Sequence, residues 1–424
     1  MNNYFNQLKQ AIPLVMEECD IPGFSISVCD KEKNIFSEAF GFIDLSKNTP
    51  ITASTQFSIQ SISKMYTAFG FMLALQDNKV SLDDPIKKYI PDFFIKHKNN
   101  VDYSSAITFR QCLTHRTGLR HEALIGNNFC YNGTFDDHIK SINGTFLRYT
   151  PSEQYSYSNL GIDLVAYSLG KIYQMPFEDY MQVKVFDPLE MKFSTYQQKK
   201  FQENTDNAVG HDTKSLMKKP ILMLGAGGMY SCPTDMTHFI RCVLNNGIYN
   251  GRSIIKQNLL EQMYTEFPAS SEWPYNLGLV AGIIKNRTIL NHNGGGFGFL
   301  STQDIVLDGG YGVAALTNSV KHSNKHIEIC RNMWNDLFSL IDEKKKDCTL
   351  INKNHNHFIG VYEAIYEGGS CKISVIPRNG SLYCNNQKLS YYSGNIFFSE
   401  NNDCIEFFDN FIILDNVKMK CIRK

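Results

Sequence analysis

The spacing of apolar residues predicts helices in several separate parts of the chain. From Ser61 onward, Ile62, Met65 and Phe69 recur at intervals of three and four, which predicts a helix ending before Asp77. The same kind of spacing predicts further helices at 3–19, 107–120, 160–174, 235–247 and 326–342. The helix at 107–120 is predicted to stop at Gly118, because glycine readily adopts the backbone conformation that ends a helix.

Strand patterns lie toward both ends of this helical region. Alternating or continuous apolar runs next to turn residues predict strands at 24–30, 34–44, 277–285, 298–307 and 311–318. Strands at both ends with helices between predict one sheet, built from distant parts of the chain and covered by helices on both faces. The fold class is therefore mixed α/β, of the α+β kind.

The last part of the chain has a different pattern. A charged segment at 342–347 is followed by short apolar runs that are separated by asparagine and glycine turns. We expect two domains, a larger one at 1–345 and a small antiparallel β domain at 350–424.

The overall composition narrows the classes of partner. Of the 424 residues, 42 are basic and 42 acidic, so nothing predicts a nucleic acid or a membrane surface as partner. The N-terminus lacks a signal-peptide pattern, and no apolar stretch reaches the roughly 18 residues of a membrane span. Twelve cysteines form no C-x-x-C pair and predict reduced thiols. We expect a cytoplasmic protein, with export by a non-standard route left open.

Three segments could carry chemistry. Ser61 and Lys64 are three positions apart, which places both side chains on one helix face, where a neutral lysine could activate the hydroxyl. Ser-x-x-Lys is a weak pattern, however, and occurs again at 168–171, 215–218 and 253–256. Tyr157 and Asn159 directly precede a predicted helix, where Asn159 alone could be a helix cap. The run HNGGGFGF (292–299) could be a hairpin turn or a backbone that a substrate approaches closely.

The order of these segments resembles the serine β-lactamase-related family, which comprises class C β-lactamases, D-alanyl-D-alanine carboxypeptidases, D-aminopeptidases and related esterases (peptidase family S12-like). Its members carry Ser-x-x-Lys, then Tyr-x-Asn, then Lys- or His-x-Gly, here Ser61–Lys64, Tyr157–Asn159 and His292–Gly294. Further landmarks of the resemblance are IPGFSISV (21–28), ITFRQCLTHRTGL (107–119), GAGGMYSCPTDMTHF (225–239) and GVAALTNS (312–319).

The resemblance implies a β-lactamase/transpeptidase-like fold, an antiparallel sheet flanked by helices with a helical subdomain. It implies that Ser61 is the acylated nucleophile, Lys64 the base and Tyr157 the partner acid and base. Asn159 would hold Lys64 and the substrate amide, while His292 and Gly294 would belong to the substrate-binding strand. Backbone N–H groups of Ser61 and Gly295 would form the oxyanion hole.

The third motif begins with His292, whereas β-lactamases of this class usually have lysine there. Histidine is mostly neutral near pH 7 and is a poor fixed cation for a β-lactam carboxylate. We therefore expect a peptidase, D-aminopeptidase or esterase rather than an antibiotic-degrading enzyme. The segments GVYEA (360–364) and NGSLYCN (379–385) resemble the small lipocalin-like barrel that follows the catalytic domain in some D-aminopeptidases.

Three functions remain open from the sequence. The first is hydrolysis of an amide or ester through an acyl-enzyme on Ser61. The second is acyl transfer or cyclisation, in which an amine intercepts the same intermediate. The third is a non-catalytic binding or sensor module. No metal-ligand spacing is recognisable, so we expect no metal and no cofactor. The expected partners are a small-molecule or peptide substrate and, as an open possibility, further copies of this chain.

Overall fold

The computed structural model describes residues 2–46, 48–127, 132–211, 216–217, 221–321, 324–341, 358–366, 369–378, 381–393, 396–399, 404–407, 411–414 and 417–423. Its helices are α1 (Asn2–Glu18), α2 (Ser63–Gln76), α3 (Phe109–Leu113), α4 (Phe135–Ile142), α5 (Asn159–Tyr173), α6 (Phe177–Met181), α7 (Gln198–Glu203), α8 (Leu224–Gly227), α9 (Pro233–Leu244), α10 (Gln257–Thr265) and α11 (Lys325–Ile341). Shorter 3-10 turns and one π-helical turn lie at Gln60–Ile62, Ile86–Lys88 and Gln182–Phe186.

The strands before α11 are β1 (Gly23–Asp30), β2 (Asn34–Gly41), β3 (Phe57–Ser58), β4 (Lys96–His97), β5 (Phe146–Leu147), β6 (Gly210–His211), β7 (Leu216–Met217), β8 (Tyr230–Ser231), β9 (Ile248–Tyr249), β10 (Arg252–Ser253), β11 (Val280–Ile284), β12 (Arg287–Gly296), β13 (Phe299–Val306) and β14 (Tyr311–Thr317). The strands after it are β15 (Gly360–Tyr366), β16 (Gly369–Arg378), β17 (Ser381–Cys384), β18 (Gln387–Lys388), β19 (Ser390–Ser393), β20 (Ile396–Phe398), β21 (Cys404–Phe407), β22 (Phe411–Leu414) and β23 (Val417–Arg423).

The main sheet joins the two ends of the sequence pattern, as expected. Its strand order is β11-β12-β13-β14-β1-β2, and β1 pairs antiparallel with both β14 and β2. Helix α9 packs across β1 and β14. Gly312 allows this close approach, because a Cβ atom there would lie 2.3 Å from Ile240 of the helix. The prediction of one sheet built from distant segments is confirmed.

The predicted helix at 107–120 is wrong in length. Thr108 starts α3 with a capping box, in which its side chain accepts from the Gln111 backbone N–H. The helix ends after Leu113, because His115 and Gly118 both have positive φ angles, 55° and 76°, that no α-helix contains. Two predicted strands are also too long, since β2 ends at Gly41 and β11 begins only at Val280.

The chain divides into two compact units. The first comprises residues 1–267, 275–280 and 289–327, and the second comprises residues 268–274, 281–288 and 328–424. The second unit contains a nine-stranded antiparallel sheet with the order β18-β17-β16-β15-β23-β22-β21-β20-β19. Its core includes Phe358, Tyr362 and Phe407. The charged segment 342–347 lies outside the described residues, and the domain boundary predicted between 345 and 350 stays a prediction.

Two further sequence-based expectations concern the whole chain. The structure describes free thiols at Cys19, Cys29, Cys112, Cys232 and Cys242, which agrees with the expected reduced state. Among the described helices, none has the length and apolarity that would be needed to cross a membrane.

Candidate active site

Ser61 is presented by a strained turn at the start of α2. The preceding residue, Gln60, is buried and has a φ of +51°, a left-handed conformation that costs energy for any residue other than glycine. The surrounding structure holds this turn in place, since the Ile59 carbonyl accepts a hydrogen bond of 2.8 Å from the Ser301 hydroxyl of β13. The Ile59 N–H donates to the carbonyl of Met229 at 3.1 Å. Ser61 itself is only partly buried.

The neighbouring serines have structural partners. The Ser63 hydroxyl donates to the Gln60 carbonyl at 2.6 Å and accepts from the Met229 N–H at 3.1 Å. The Ser58 hydroxyl accepts from the Gln60 side-chain amide at 2.6 Å. Both therefore stabilise the turn, while the Ser61 hydroxyl lies next to the amine of Lys64.

Lys64 is fully buried, and its environment favours the neutral amine. Its Nζ atom lies 2.9 Å from Ser61 Oγ and 2.8 Å from the carbonyl oxygen of Ala226. It also lies 4.8 Å from the centroid of the Tyr157 ring. Burial lowers the pKa of Lys64 from its ordinary value to about 7, although the negative charges of Asp163 and Glu122 counteract part of this effect. Near pH 7, a large fraction of Lys64 can accept a proton.

Tyr157 and Asn159 are held by the irregular segment after α3. The Ser158 N–H donates to Nδ1 of His115 at 3.2 Å, and the Asn159 N–H donates to the carbonyl of His121 at 3.0 Å. The His115 ring lies 4.3 Å from the ring of Tyr157. The His115 carbonyl also accepts a hydrogen bond of 2.8 Å from the Ser156 N–H. The segment 107–120 leaves the helical path because the imidazole and the carbonyl of His115 act as these acceptors.

The Asn159 side chain contacts the segment after α3. Its Nδ2 lies 3.4 Å from Nε2 of His121, and within the described ranges its buried Oδ1 has no hydrogen-bond partner. Lys64 donates to Ser61 and Ala226 rather than to Asn159. A role for Asn159 in holding Lys64 or the substrate amide therefore stays a prediction.

His292 is buried and is held in its neutral form. Its Nδ1 lies 2.7 Å from the carbonyl oxygen of Asn293, so Nδ1 must carry the proton, and Nε2 accepts from the Tyr275 hydroxyl at 3.0 Å. Burial, together with the charge of Lys64, lowers its pKa to about 3. His292 therefore offers no fixed positive charge to a substrate carboxylate.

The glycine run forms a tight hairpin between β12 and β13. Phe297 and Gly298 both have positive φ angles, 51° and 83°, which is the conformation of a two-residue hairpin turn. A Cβ atom on Gly294 would lie 2.2 Å from the carbonyl oxygen of Ile59, so only glycine fits beside the Ser61 turn. Gly295 is exposed and pairs with Leu300. The hairpin alternative is therefore correct, and close approach of a substrate to this backbone stays a prediction.

The structure adds residues that sequence reasoning missed. Tyr275 links His292 to Tyr157, since it donates to the imidazole and its ring centroid lies 6.1 Å from that of Tyr157. Asp163 and His138 form a buried pair at 2.9 Å, and Asp163 also binds the backbone of Ala226, whose carbonyl accepts from Lys64. One signal was available: Asp163 follows Asn159 by four positions on a predicted helix, which places it on the same face.

Fold and site together define a class. A serine in the turn before a helix, a buried lysine in the first turn of that helix and an antiparallel sheet in which β12 and β13 form the glycine hairpin together match the β-lactamase/transpeptidase fold. The family model described as Beta-lactamase matches residues 8–329, which is more than half of the chain. The chain therefore belongs to the beta-lactamase family.

Solved structures of similar fold cover most of the chain. The octameric penicillin-binding protein homologue from Pyrococcus abyssi has a TM-score of 0.66 and 20% identity, and the match covers 98% of this chain and 99% of that one. The D-amino acid amidase from Ochrobactrum anthropi SV3, complexed with D-phenylalanine, has a TM-score of 0.64 and 20% identity, covering 80% of this chain and 100% of that one. At these identities the likeness shows the fold.

Curated relatives match a shorter stretch. Protein flp from Staphylococcus aureus (strain MW2) is 24% identical over 254 residues, covering 58% of this chain and 50% of that protein. Beta-lactamase-like protein 4 from Dictyostelium discoideum is 28% identical over 282 residues, covering 62% of this chain and 49% of that protein. The chain thus spans about half the length of the curated relatives that it matches.

Proposed function

We propose that this protein is a serine hydrolase that forms an acyl-enzyme on Ser61 and cleaves an amide or an ester. The observation that carries the proposal is the distance of 2.9 Å between Ser61 Oγ and the buried amine of Lys64, whose pKa burial lowers to about 7. A lysine that is partly neutral at this distance can remove the proton of the hydroxyl as the oxygen attacks a carbonyl carbon.

Each proposed step uses a described group. The ammonium that forms on Lys64 is stabilised by the Ala226 carbonyl and the face of the Tyr157 ring. Tyr157 then delivers a proton to the leaving amine or alcohol and takes one back from the Lys64 ammonium, so that Lys64 is neutral again. The backbone N–H groups of Ser61 and Gly295 bind the oxyanion, where one such donor is worth about 3 kcal/mol. Water attacks the Ser61 ester while Lys64 or Tyr157 removes its proton, and that proton is passed to the departing Ser61 oxygen, which restores the free enzyme.

The preferred substrate class follows from the charges around the site. A neutral, buried His292 gives no fixed cation for the carboxylate of a β-lactam or of a peptide C-terminus. Peptidase- or esterase-like cleavage of a neutral amide or ester is therefore favoured over antibiotic degradation. That one structural neighbour is named a D-amino acid amidase supports testing aminoacyl amides of both configurations first.

Labelling with a fluorophosphonate probe tests the nucleophile directly. We expect one adduct per chain by intact mass, and tandem mass spectrometry should place it on Ser61 and not on Ser58 or Ser63. The Ser63→Ala variant is the matched control, and we expect it to retain the label if it folds. An unlabelled protein, or an adduct on another serine, would contradict the proposal and favour a non-catalytic binding module.

The rate of labelling should depend on pH in a defined direction. Lys64 acts as the base only when neutral, so the second-order rate constant should rise with pH, with a midpoint near 7, and then level off. Below the midpoint it should fall about tenfold per pH unit. Stopped-time labelling between pH 5 and 9 in buffers of constant ionic strength measures this curve. A rate that stays constant across the range would argue against Lys64 as the base.

A self-association prediction also remains. The Pyrococcus abyssi neighbour is described as octameric, and we propose that copies of this chain associate as well. Light scattering coupled to size exclusion would decide this by the mass in solution.

A further inference from the structure

A fully buried ion pair lies beneath the proposed catalytic lysine. His138 Nε2 lies 2.9 Å from Asp163 Oδ2, and His138 Nδ1 lies 2.6 Å from the carbonyl oxygen of Ile125. Neither side chain of the pair is exposed. Because a carbonyl and a carboxylate can only accept, both imidazole nitrogens must donate, and His138 is therefore the charged imidazolium. Burial acts to lower the pKa of His138, but the hydrogen bond and charge of Asp163 outweigh it and raise the pKa.

The second oxygen of Asp163 connects this pair to the site. Asp163 Oδ1 accepts a hydrogen bond of 2.9 Å from the N–H of Ala226. The carbonyl oxygen of the same residue accepts the bond of 2.8 Å from Lys64 Nζ. Ala226 lies in the short helix α8, which packs against both α2 and α5. The backbone of Ala226 is thus held between the carboxylate of Asp163 and the amine of Lys64.

The other groups around Lys64 leave Asp163 as its main source of negative charge. Asp163 is the largest opposing influence on the pKa of Lys64, followed by Glu122 of the segment after α3. The imidazoles of His115, His121 and His292 are neutral near pH 7, because burial lowers the pKa of each. Tyr157 presents the face of its ring to Lys64 Nζ.

Asp163 is itself surrounded by a small set of groups. His138 of α4 faces one oxygen and the Ala226 N–H faces the other. The buried hydroxyl of Tyr196 is also within its electrostatic reach, since burial raises the pKa of Tyr196 and Asp163 adds to that effect. His138 is therefore the group that balances the charge of Asp163 from a neighbouring helix.

We propose that Asp163 is a positioning residue that holds Ala226 against Lys64 and stabilises the ammonium form of Lys64, and that His138 limits the strength of this effect by pairing with Asp163. The proposal rests on Lys64 being the base of the proposed function. Its consequence is that the pair sets the pH range in which Ser61 is activated, although neither residue touches a substrate.

The Asp163→Asn variant tests this role. Asparagine keeps an oxygen for the Ala226 N–H but removes the negative charge. The ammonium of Lys64 then loses stabilisation, so the midpoint of the labelling curve should move about one unit toward lower pH. The plateau rate should fall severalfold, because a less basic amine is a weaker general base. A loss of folding alone would change the labelled fraction without moving the midpoint.

Asp235→Asn is the matched control. Asp235 is also a buried carboxylate, bonded to the Phe193 N–H and the Ser194 hydroxyl, and it is not among the groups that shift the pKa of Lys64. The midpoint of the labelling curve of Asp235→Asn should stay at the wild-type value. If Asp163→Asn does not fold, His138→Gln carries the test, since removal of the cation leaves Asp163 uncompensated and should move the midpoint upward.

The outcomes separate the two proposals. A wild-type protein that takes no label would overturn the proposed function. A labelled, folded Asp163→Asn variant with an unmoved midpoint would overturn the role of Asp163 alone, as would a shift of equal size in the Asp235→Asn control. Carbon-13 NMR titration of the Lys64 side chain, assigned by its loss in Lys64→Met, reports the same midpoint without any chemistry on Ser61.

Discussion

Replacement of Lys64 by methionine is expected to lower the rate of Ser61 acylation by about a thousandfold at pH 8. Methionine fills a similar volume in a fully buried position but has no lone pair that could take the Ser61 proton. The folded state should be retained, because an apolar side chain avoids the desolvation cost that a buried amine carries. Time-dependent labelling, with Ser61→Ala as the zero reference, measures the loss.

The chain supplies its own control for this experiment. Lys171 stands in a second Ser-x-x-Lys pair, but its partner Ser168 is buried inside α5 and donates to the carbonyl of Leu164 at 2.8 Å. Lys171→Met should therefore label at the wild-type rate. Equal rates for Lys64→Met and the wild type would mean that another group activates Ser61.

Replacement of Gly294 by alanine is expected to reduce acylation by about a hundredfold and to destabilise the fold by about 1–3 kcal/mol. The new Cβ atom would lie 2.2 Å from the Ile59 carbonyl oxygen and 2.3 Å from Ser301 Oγ. These two groups hydrogen-bond each other and hold the turn that presents Ser61, so relief of the clash must move the nucleophile. Labelling rates and chemical denaturation measure the two effects.

Gly144→Ala provides the comparison for Gly294→Ala. A Cβ atom at Gly144 would meet only the Ser141 carbonyl oxygen at 3.4 Å, which is an ordinary contact. Its labelling rate and stability should stay close to those of the wild type. A Gly294→Ala variant that behaves in the same way would show that the hairpin does not constrain the Ser61 turn.

Local patterns predicted elements better than they predicted their ends. The apolar spacing located α2, α5 and α11 within two residues of their observed bounds and α9 within three. The helix predicted at 107–120 was wrong in length, because the acceptors that His115 offers to Ser156 and Ser158 belong to contacts across more than 35 positions. Contacts between residues so far apart in the sequence cannot be predicted from local apolar spacing.

The sequence alone determined which side chains could act together within one helix. A spacing of three placed Ser61 and Lys64 on one face. The glycine run beside His292 indicated a backbone that other groups can approach closely. The resemblance of motif order then pointed to the family that the family model confirms.

Only the tertiary structure decided the charge states on which the chemistry depends. Lys64 is buried against Ala226, 162 positions away, and His292 is neutral because burial and the charge of Lys64 lower its pKa. The physical reason is that a pKa depends on burial and on the nearest charges, and here distant parts of the chain supply both. A motif specifies the reactive groups, while the surrounding fold sets their protonation.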